Sequence, residues 1–222
     1  MASECETRFT AISLSPETPQ AIERREQRRY IAVLQAGKIV TAHGEELCLI
    51  RNISAAGMMA HVYGPLEDGE RVAVEFKVGE SVPGEVVWLD EAMAGIRFDT
   101  RVDLHKVMSP RRDPQSGMAP RAPRLNVCGL ALVQHAEQDY GAQVLDISQG
   151  GVKVEAAELA EYAQAGEDVV VSMAGLPACP GVVRWVEGAV AGIAFNRTLP
   201  LDQIALWAVA QTPRTVRGRA GN

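Results

Sequence analysis

Four arginines lie close together near the start of the chain, at Arg24, Arg25, Arg28 and Arg29. Guanidinium groups are planar forks of N–H donors that match phosphate oxygens and the O6/N7 edge of guanine. The segment that carries them has no apolar periodicity. We interpret it as an arginine arm that binds an anion, although a charged run of this kind is also typical of a solvated helix face or a basic tail.

A polar turn follows further along the chain, in the stretch Asn52-Ile53-Ser54-Ala55-Ala56-Gly57. Its amide and hydroxyl side chains are short hydrogen-bonding groups, and Gly57 permits a backbone geometry or a close approach that a side chain would block. Such a string alone is often only a β-turn. Together with the arginine arm, it predicts a site for a guanine nucleotide with more than one phosphate.

The segments that position these residues have the pattern of short β-strands. Apolar and polar residues alternate along 72–78, as they do in a half-buried strand. A turn is predicted near His43-Gly44. The other predicted strands are 38–41, 47–50, 58–62, 84–89 and 94–98. Many short strands separated by glycine-rich turns indicate an antiparallel barrel.

The second half of the chain repeats the first. Trp88 and Trp185 stand 97 residues apart in matching strands, and the polar turn has a counterpart 94 residues later that begins at Asp146. The offset grows by three residues, from 94 at the turn to 97 at the tryptophans. A net insertion of three residues therefore follows the second turn, where the segment 158–162 predicts one or two helical turns. A repeat of this size indicates a duplicated domain.

Each copy ends in a helical pattern, at 102–108 and 201–209, which predicts a helix packed on the preceding barrel. The expected fold is therefore mainly β, with two small antiparallel β-barrels in tandem, each followed by a short C-terminal helix. The predicted boundaries are a flexible tail 1–20, a first domain with the arginine arm 21–108, a linker 109–120, a second domain 121–212 and a tail 213–222.

The Arg-x-x-x-Arg spacing followed by Asn-x-Ser-x-x-Gly resembles the signature of the PilZ family, whose members include bacterial receptors for cyclic di-GMP. The resemblance implies a tandem PilZ protein in which the arm folds over cyclic di-GMP on the first PilZ-like barrel. Ordering of the arm would change how the two domains sit, and so signal to a downstream protein. The ligand-binding residues that it implies are Arg24, Arg25, Arg28, Arg29, Asn52, Ser54 and Gly57.

The sequence leaves the register of the arm open, because both Arg24/Arg28 and Arg25/Arg29 have the required spacing. We favour Arg25 and Arg29, since Arg29 directly precedes the apolar start of the first strand. Asn52 replaces the commoner aspartate of the family. An amide cannot offer a carboxylate to the N–H groups of guanine, and this lowers the expected affinity.

The second copy retains the polar turn of the motif but not its pair of arginines. If Arg124 is aligned with Arg29, Pro120 stands where the partner arginine is expected. The candidate substitutes are Arg121 or, from the linker, Arg111 and Arg112. The retained residues are Asp146, Ser148 and Gly151. The sequence leaves open whether this copy binds nucleotide or serves as a structural or partner-contacting domain.

Composition excludes several classes of function. A net charge of −6 argues against a general binder of nucleic acid or membrane surfaces. Single-stranded nucleic-acid binding on a barrel needs exposed aromatic residues, whereas only 5% of residues are aromatic and the repeat positions of Trp88 and Trp185 suggest core. No signal sequence or run of about 18 apolar residues is present, which predicts a cytoplasmic protein without membrane insertion.

Neither an enzyme nor a metal protein is expected. The chain has no familiar catalytic motif, its four histidines are scattered, and its cysteines have no metal-ligand spacing. These cysteines, interpreted as reduced thiols, are Cys5, Cys48, Cys128 and Cys179. We therefore predict no catalytic residue, no metal and no cofactor besides the ligand. The alternative function is a PilZ-fold protein-interaction module that does not bind nucleotide.

Overall fold

The computed structural model describes residues 30–77, 80–105 and 123–211. The arginine arm with Arg24, Arg25, Arg28 and Arg29 lies outside these ranges, as does Arg121. The predicted linker 109–120 and the predicted tails 1–20 and 213–222 also lie outside them.

The first barrel has six antiparallel strands. They are β1 (Tyr30–Thr41), β2 (Gly44–Ser54), β3 (Gly57–Val62), β4 (Arg71–Lys77), β5 (Glu80–Asp90) and β6 (Met93–Phe98). The sheet closes in the order β1-β2-β3-β6-β5-β4. Alternate side chains fill the interior, as in β3, where Met58, Ala60 and Val62 are buried.

The second barrel repeats this arrangement. Its strands are β7 (Leu125–His135), β8 (Gln138–Ser148), β9 (Gly151–Glu155), β10 (Asp168–Met173), β11 (Cys179–Glu187) and β12 (Val190–Phe195), closed in the equivalent order. A short helix, α1 (Ala157–Tyr162), lies between β9 and β10, and its Leu159 is fully buried. The helical turns predicted from the three-residue insertion are confirmed.

A longer helix, α2 (Leu201–Gln211), follows the second barrel. The indole Nε1 of Trp207 donates a hydrogen bond to the Ala174 carbonyl at 3.0 Å. Its ring covers Gly129, where a Cβ atom would lie 2.9 Å from the ring. The helix predicted after the second barrel is therefore confirmed. After the first barrel, Leu104 and His105 are helical, and the remainder of that predicted helix, 106–108, lies outside the described residues.

The tryptophans of β5 and β11 lie on the outer faces of the barrels. Trp88 and Trp185 are each 37% exposed, so the prediction that both are core residues is wrong. A β-bulge just before each tryptophan shifts the strand register and turns the side chain outwards. Each indole then lies flat over a glycine of the next strand, Gly95 or Gly192, where a Cβ atom would be 2.0 or 2.2 Å from the ring.

Candidate functional site

The polar turn joins β2 to β3 beside the start of β1. Asn52 lies opposite Ile31 of β1 and opposite Met59 of β3. Ser54 and Gly57 form the pair that ends the β2–β3 hairpin. The turn is thus held next to the point at which the chain passes from the arginine arm into the first barrel.

Ser54 closes the turn. Its side chain is buried, and its hydroxyl donates a hydrogen bond to the Gly57 carbonyl at 3.1 Å while accepting one from the Ala56 N–H at 3.4 Å. In the second copy Ser148 likewise donates to the Gly151 carbonyl, at 3.3 Å. Because the hydroxyl hydrogen is already donated within the turn, Ser54 has only acceptor capacity to offer a ligand.

Gly57 allows two strands to approach closely. A Cβ atom at this position would lie 2.4 Å from the Ile96 carbonyl oxygen, and a Cβ at Gly151 would lie equally close to the Ile193 carbonyl. Glycine is required here because β3 packs against the backbone of β6, and β9 against that of β12. The sequence predicted either an unusual backbone geometry or a close approach, and the structure has the close approach.

Asn52 carries a buried acceptor. Within the part of the chain that the structure describes, its Oδ1 has no hydrogen-bond partner. An unpaired buried polar atom costs about 1–3 kcal/mol. At the corresponding place in the second barrel, Arg124 Nη1 donates to Asp146 Oδ1 at 2.5 Å. In the second barrel this position therefore binds a guanidinium group.

The strand registers place Arg29 and Arg124 at equivalent points of the chain. Tyr30 pairs with Ile53 in the first barrel, and Leu125 pairs with Ile147 in the second. Arg29 and Arg124 each directly precede these paired residues. Arg29 is thus the residue of the arginine arm whose place in the sequence matches that of Arg124.

A cavity of about 190 Å³ opens beside the polar turn. Asn52, Ser54 and Gly57 line one side of it, and Trp88 and Arg97 line the other. The cavity therefore combines the buried acceptor, a partly exposed aromatic ring and a cationic side chain.

Sequence reasoning missed Trp88 and Arg97 as site residues. Trp88 was assigned to the core, and Arg97 received no role. Arg97 is exposed and donates to Glu85 Oε2 at 2.9 Å, an ion pair that leaves other guanidinium donors available. A comparison of the two copies could have identified Arg97, because the equivalent residue of the second barrel is Ala194.

A second arginine near Glu85, Arg71 of β4, is already paired. Arg71 bonds Asp99 with both guanidinium nitrogens and lies 4.0 Å from Glu85. The hydrogen bond from Arg71 lowers the pKa of Asp99, and the same bond raises the pKa of Arg71. Arg97 is thus the more available of the two arginines for an anionic ligand.

Metal-ligating side chains do not cluster in the described residues. No group of three or more His, Cys, Asp or Glu side chains is placed there to hold a metal ion. Cys48 and Cys179 are buried thiols and Cys128 is an exposed one, while Cys5 lies outside the described residues. None of the helices within 30–77, 80–105 and 123–211 is long and apolar enough to cross a membrane.

Three solved structures are similar to this chain at low sequence identity. PlzA of Borreliella burgdorferi in complex with cyclic di-GMP shares 8% identity, covers 79% of this chain and 86% of its own, and has a TM-score of 0.35. The inhibitor of motility MotI/DgrA of Bacillus subtilis shares 15% identity over 84% and 100%, with a TM-score of 0.34. YcgR of Escherichia coli in complex with cyclic di-GMP shares 11% over 80% and 82%, with a TM-score of 0.32.

The comparison with curated proteins gives no match. A family model does match, and it does so twice. The PilZ domain model covers residues 23–109 and again residues 120–208, which together are more than half of the chain. The chain therefore belongs to the PilZ domain family and carries two copies of the domain in tandem.

Proposed function

We propose that this chain is a non-enzymatic receptor that binds cyclic di-GMP on the outer face of its first barrel. Membership of the PilZ family supports this function. The observation that carries it is Asn52 Oδ1, a buried acceptor without a partner among the described residues, at a cavity that Trp88 and Arg97 also line. The arginine arm precedes the strand beside this cavity.

In the proposed complex, Arg25 and Arg29 are the principal pair and bind guanine edges and phosphates. Arg24 and Arg28 add positive charge or stack on the second base. These roles are inferred from spacing, since the arm lies outside the described residues.

The turn residues have different roles in the proposal. Asn52 Oδ1 accepts an N–H from guanine or from Arg29, as Asp146 accepts from Arg124 in the second copy. Ser54 contributes an acceptor lone pair, and Gly57 keeps the turn close to β6. We add Trp88 as a stacking surface for a base and Arg97 as a further phosphate or guanine contact.

Isothermal titration of the full chain with cyclic di-GMP, with GTP as the control ligand, tests this function. A charge-assisted hydrogen bond contributes ~1.5–3 kcal/mol, so Arg25→Ala or Arg29→Ala is expected to weaken binding by about one to two decades. Arg124→Ala is the matched control in the second copy and is expected to leave the affinity unchanged. Wild-type affinity in both arm variants would contradict the proposed site.

The proposed output is a change in the arrangement of the arm and of the two domains, which a downstream protein in the cytoplasm detects. The ligand orders the arm, and an ordered arm presents a different surface at the start of the first barrel. The sequence does not identify this partner, and we propose neither nucleic acid nor a membrane as the recipient.

The second candidate function is a PilZ-fold protein-interaction module that does not bind nucleotide. The second barrel favours it, because Pro120 replaces the second arginine of the motif in that copy. Absence of both heat and thermal stabilisation with cyclic di-GMP would support this candidate over the receptor.

A further inference from the structure

The two barrels are joined by a hydrogen-bonded contact between Glu45 and Asn126. Asn126 donates its backbone N–H to Glu45 Oε2 at 2.9 Å, and its side-chain Nδ2 lies 3.0 Å from each carboxylate oxygen. Lys38 Nζ donates to Glu45 Oε1 at 3.0 Å and lies 2.9 Å from Glu75. The carboxylate of Glu45, which lies at the end of the β1–β2 hairpin, is therefore bound from both domains.

An apolar contact continues this interface. Leu47 of β2 is 2% exposed and belongs to the buried cluster of the second barrel, against which Tyr63 also packs. Helix α2 contacts strand β2. The residue that corresponds to Leu47 in the second barrel is Gly141, which is exposed. The burial of Leu47 thus comes from the contact between domains and not from the position within a barrel.

The contact falls on a particular face of the second barrel. Asn126 lies directly across the β7–β8 ladder from Asp146, the first residue of the second polar turn. A register shift in β7 begins at Asn126. The Asn126 N–H donates to Glu45, and a carboxylate is an anionic acceptor like a phosphate. Glu45 therefore lies beside the residues that correspond to the ligand-binding face of the first barrel.

We propose that this face of the second barrel has become a docking site for the first barrel, with the Glu45 carboxylate as the anion that it binds. The backbone and side-chain N–H groups of Asn126 on this face are used by Glu45. Nucleotide is consequently excluded from the second barrel while the domains are docked. This inference stands whether or not the first barrel binds cyclic di-GMP.

Hydrogen exchange of the full chain without ligand tests the contact. In Glu45→Ala the Asn126 amide loses its acceptor, and its exchange is expected to become at least about tenfold faster, because unpaired amides exchange freely. Asp139→Ala is the matched control, since Asp139 is the exposed counterpart of Glu45 in the second barrel. It is expected to leave exchange at Asn126 unchanged.

Loss of Glu45 also removes a partner of Lys38 and could unfold the first barrel. A second variant therefore changes Asn126, on the other side of the contact. Asn126→Asp leaves Lys38, Glu45 and Glu75 in place and sets two carboxylates against each other. We expect a larger radius of gyration in small-angle X-ray scattering, with the first barrel still folded. Asn126→Lys, which places a cation beside Glu45, is expected to keep the compact form.

Two results would overturn the docking site. One is wild-type exchange and wild-type scattering in Asn126→Asp. The other is cyclic di-GMP binding by the second barrel in the compact protein, seen as one remaining ligand per chain in the Arg25→Ala/Arg29→Ala double variant. Failure of the first barrel to bind ligand leaves both readouts intact, so it is distinguishable from failure of the docking contact.

Discussion

Arg124 donates a hydrogen bond to Asp146 at 2.5 Å, at the position that Asn52 occupies in the first barrel. The two barrels therefore offer the same position in two forms, a carboxylate that already binds an arginine and an amide whose Oδ1 has no partner among the described residues. Because of this difference, we expect Asn52 to bind ligand and Asp146 to stabilise the second barrel.

Asn52→Ala is expected to weaken cyclic di-GMP binding about tenfold, the effect of one lost hydrogen bond of ~1.4 kcal/mol. Thermal stability should not fall, because the substitution removes a buried acceptor whose missing partner costs free energy in the described structure. Titration calorimetry and thermal unfolding measure the two effects. A large loss of stability with unchanged affinity would assign Asn52 to the fold.

Ser54→Ala is expected to lower both the stability of the first barrel and its affinity for cyclic di-GMP. The hydroxyl donates to the Gly57 carbonyl, so its loss should destabilise the first barrel by ~0.5–1.5 kcal/mol. Ser148→Ala, which removes the matching bond in the second turn, is the control for a purely structural cost. We expect a similar loss of stability in both serine variants, and reduced affinity only in Ser54→Ala. Equal affinity in the two variants would restrict Ser54 to the turn.

Trp88→Ala is expected to weaken binding by ~1–3 kcal/mol, the contribution of one base stacked on an aromatic ring. Trp185→Ala is the matched control, because each tryptophan covers a glycine and has the same exposure. Both variants should therefore lose comparable stability, while only Trp88→Ala loses affinity. Tryptophan fluorescence gives an independent measurement, since the change on ligand addition should persist in Trp185→Ala. Equal loss of affinity in both variants would exclude stacking at Trp88.

Glu46 is expected to make stability depend on pH. Burial raises its pKa from 4.5 to about 7, the negative charge of Glu70 adds to this, and the backbone N–H of Gly64 opposes it. The folded state then holds a proton that the unfolded state releases, so the contribution to stability is full below pH 4.5 and is lost as the pH rises to about 7. Because the group is only partly shielded from solvent, the slope should stay below ~1.4 kcal/mol per pH unit.

Glu46→Gln removes the titrating group and should flatten this part of the profile. Chemical denaturation at a series of pH values between about 3.5 and 8 (about one unit on either side of the two pKa values) measures it. Glu70→Gln is the control for the electrostatic contribution and should reduce the slope without abolishing it. An unchanged slope in Glu46→Gln would assign the pH dependence to another group.

The sequence predicted the two barrels because their strands alternate in period two and recur 94 to 97 residues later, and closure of both sheets confirms this. The strand ends were harder to predict. The first strand was expected to start at Tyr30, with a clear strand pattern only at 38–41. β1 runs from Tyr30 to Thr41, and its early part crosses a register shift against β2. Irregular pairing leaves no simple period in the residues.

The same limit explains the error at the tryptophans. Their equivalence could be deduced from the repeat, but the side of the sheet on which they lie depends on a bulge that moves every following side chain by one position. The polar turn was found because its residue types are distinctive. Its serine and glycine nevertheless serve the hairpin itself, since hydrogen bonding and close approach suit a turn as well as a ligand.

The contact of Glu45 with Asn126 joins two different surfaces, and a head-to-tail contact of this kind can in principle be continued by further copies. The second barrel does not offer the surface needed for such growth. At the positions of Lys38, Glu45 and Leu47 it has Leu132, Asp139 and Gly141. The bridging cation and the apolar anchor are both missing, so the second barrel acts as a cap that ends the stack after two units.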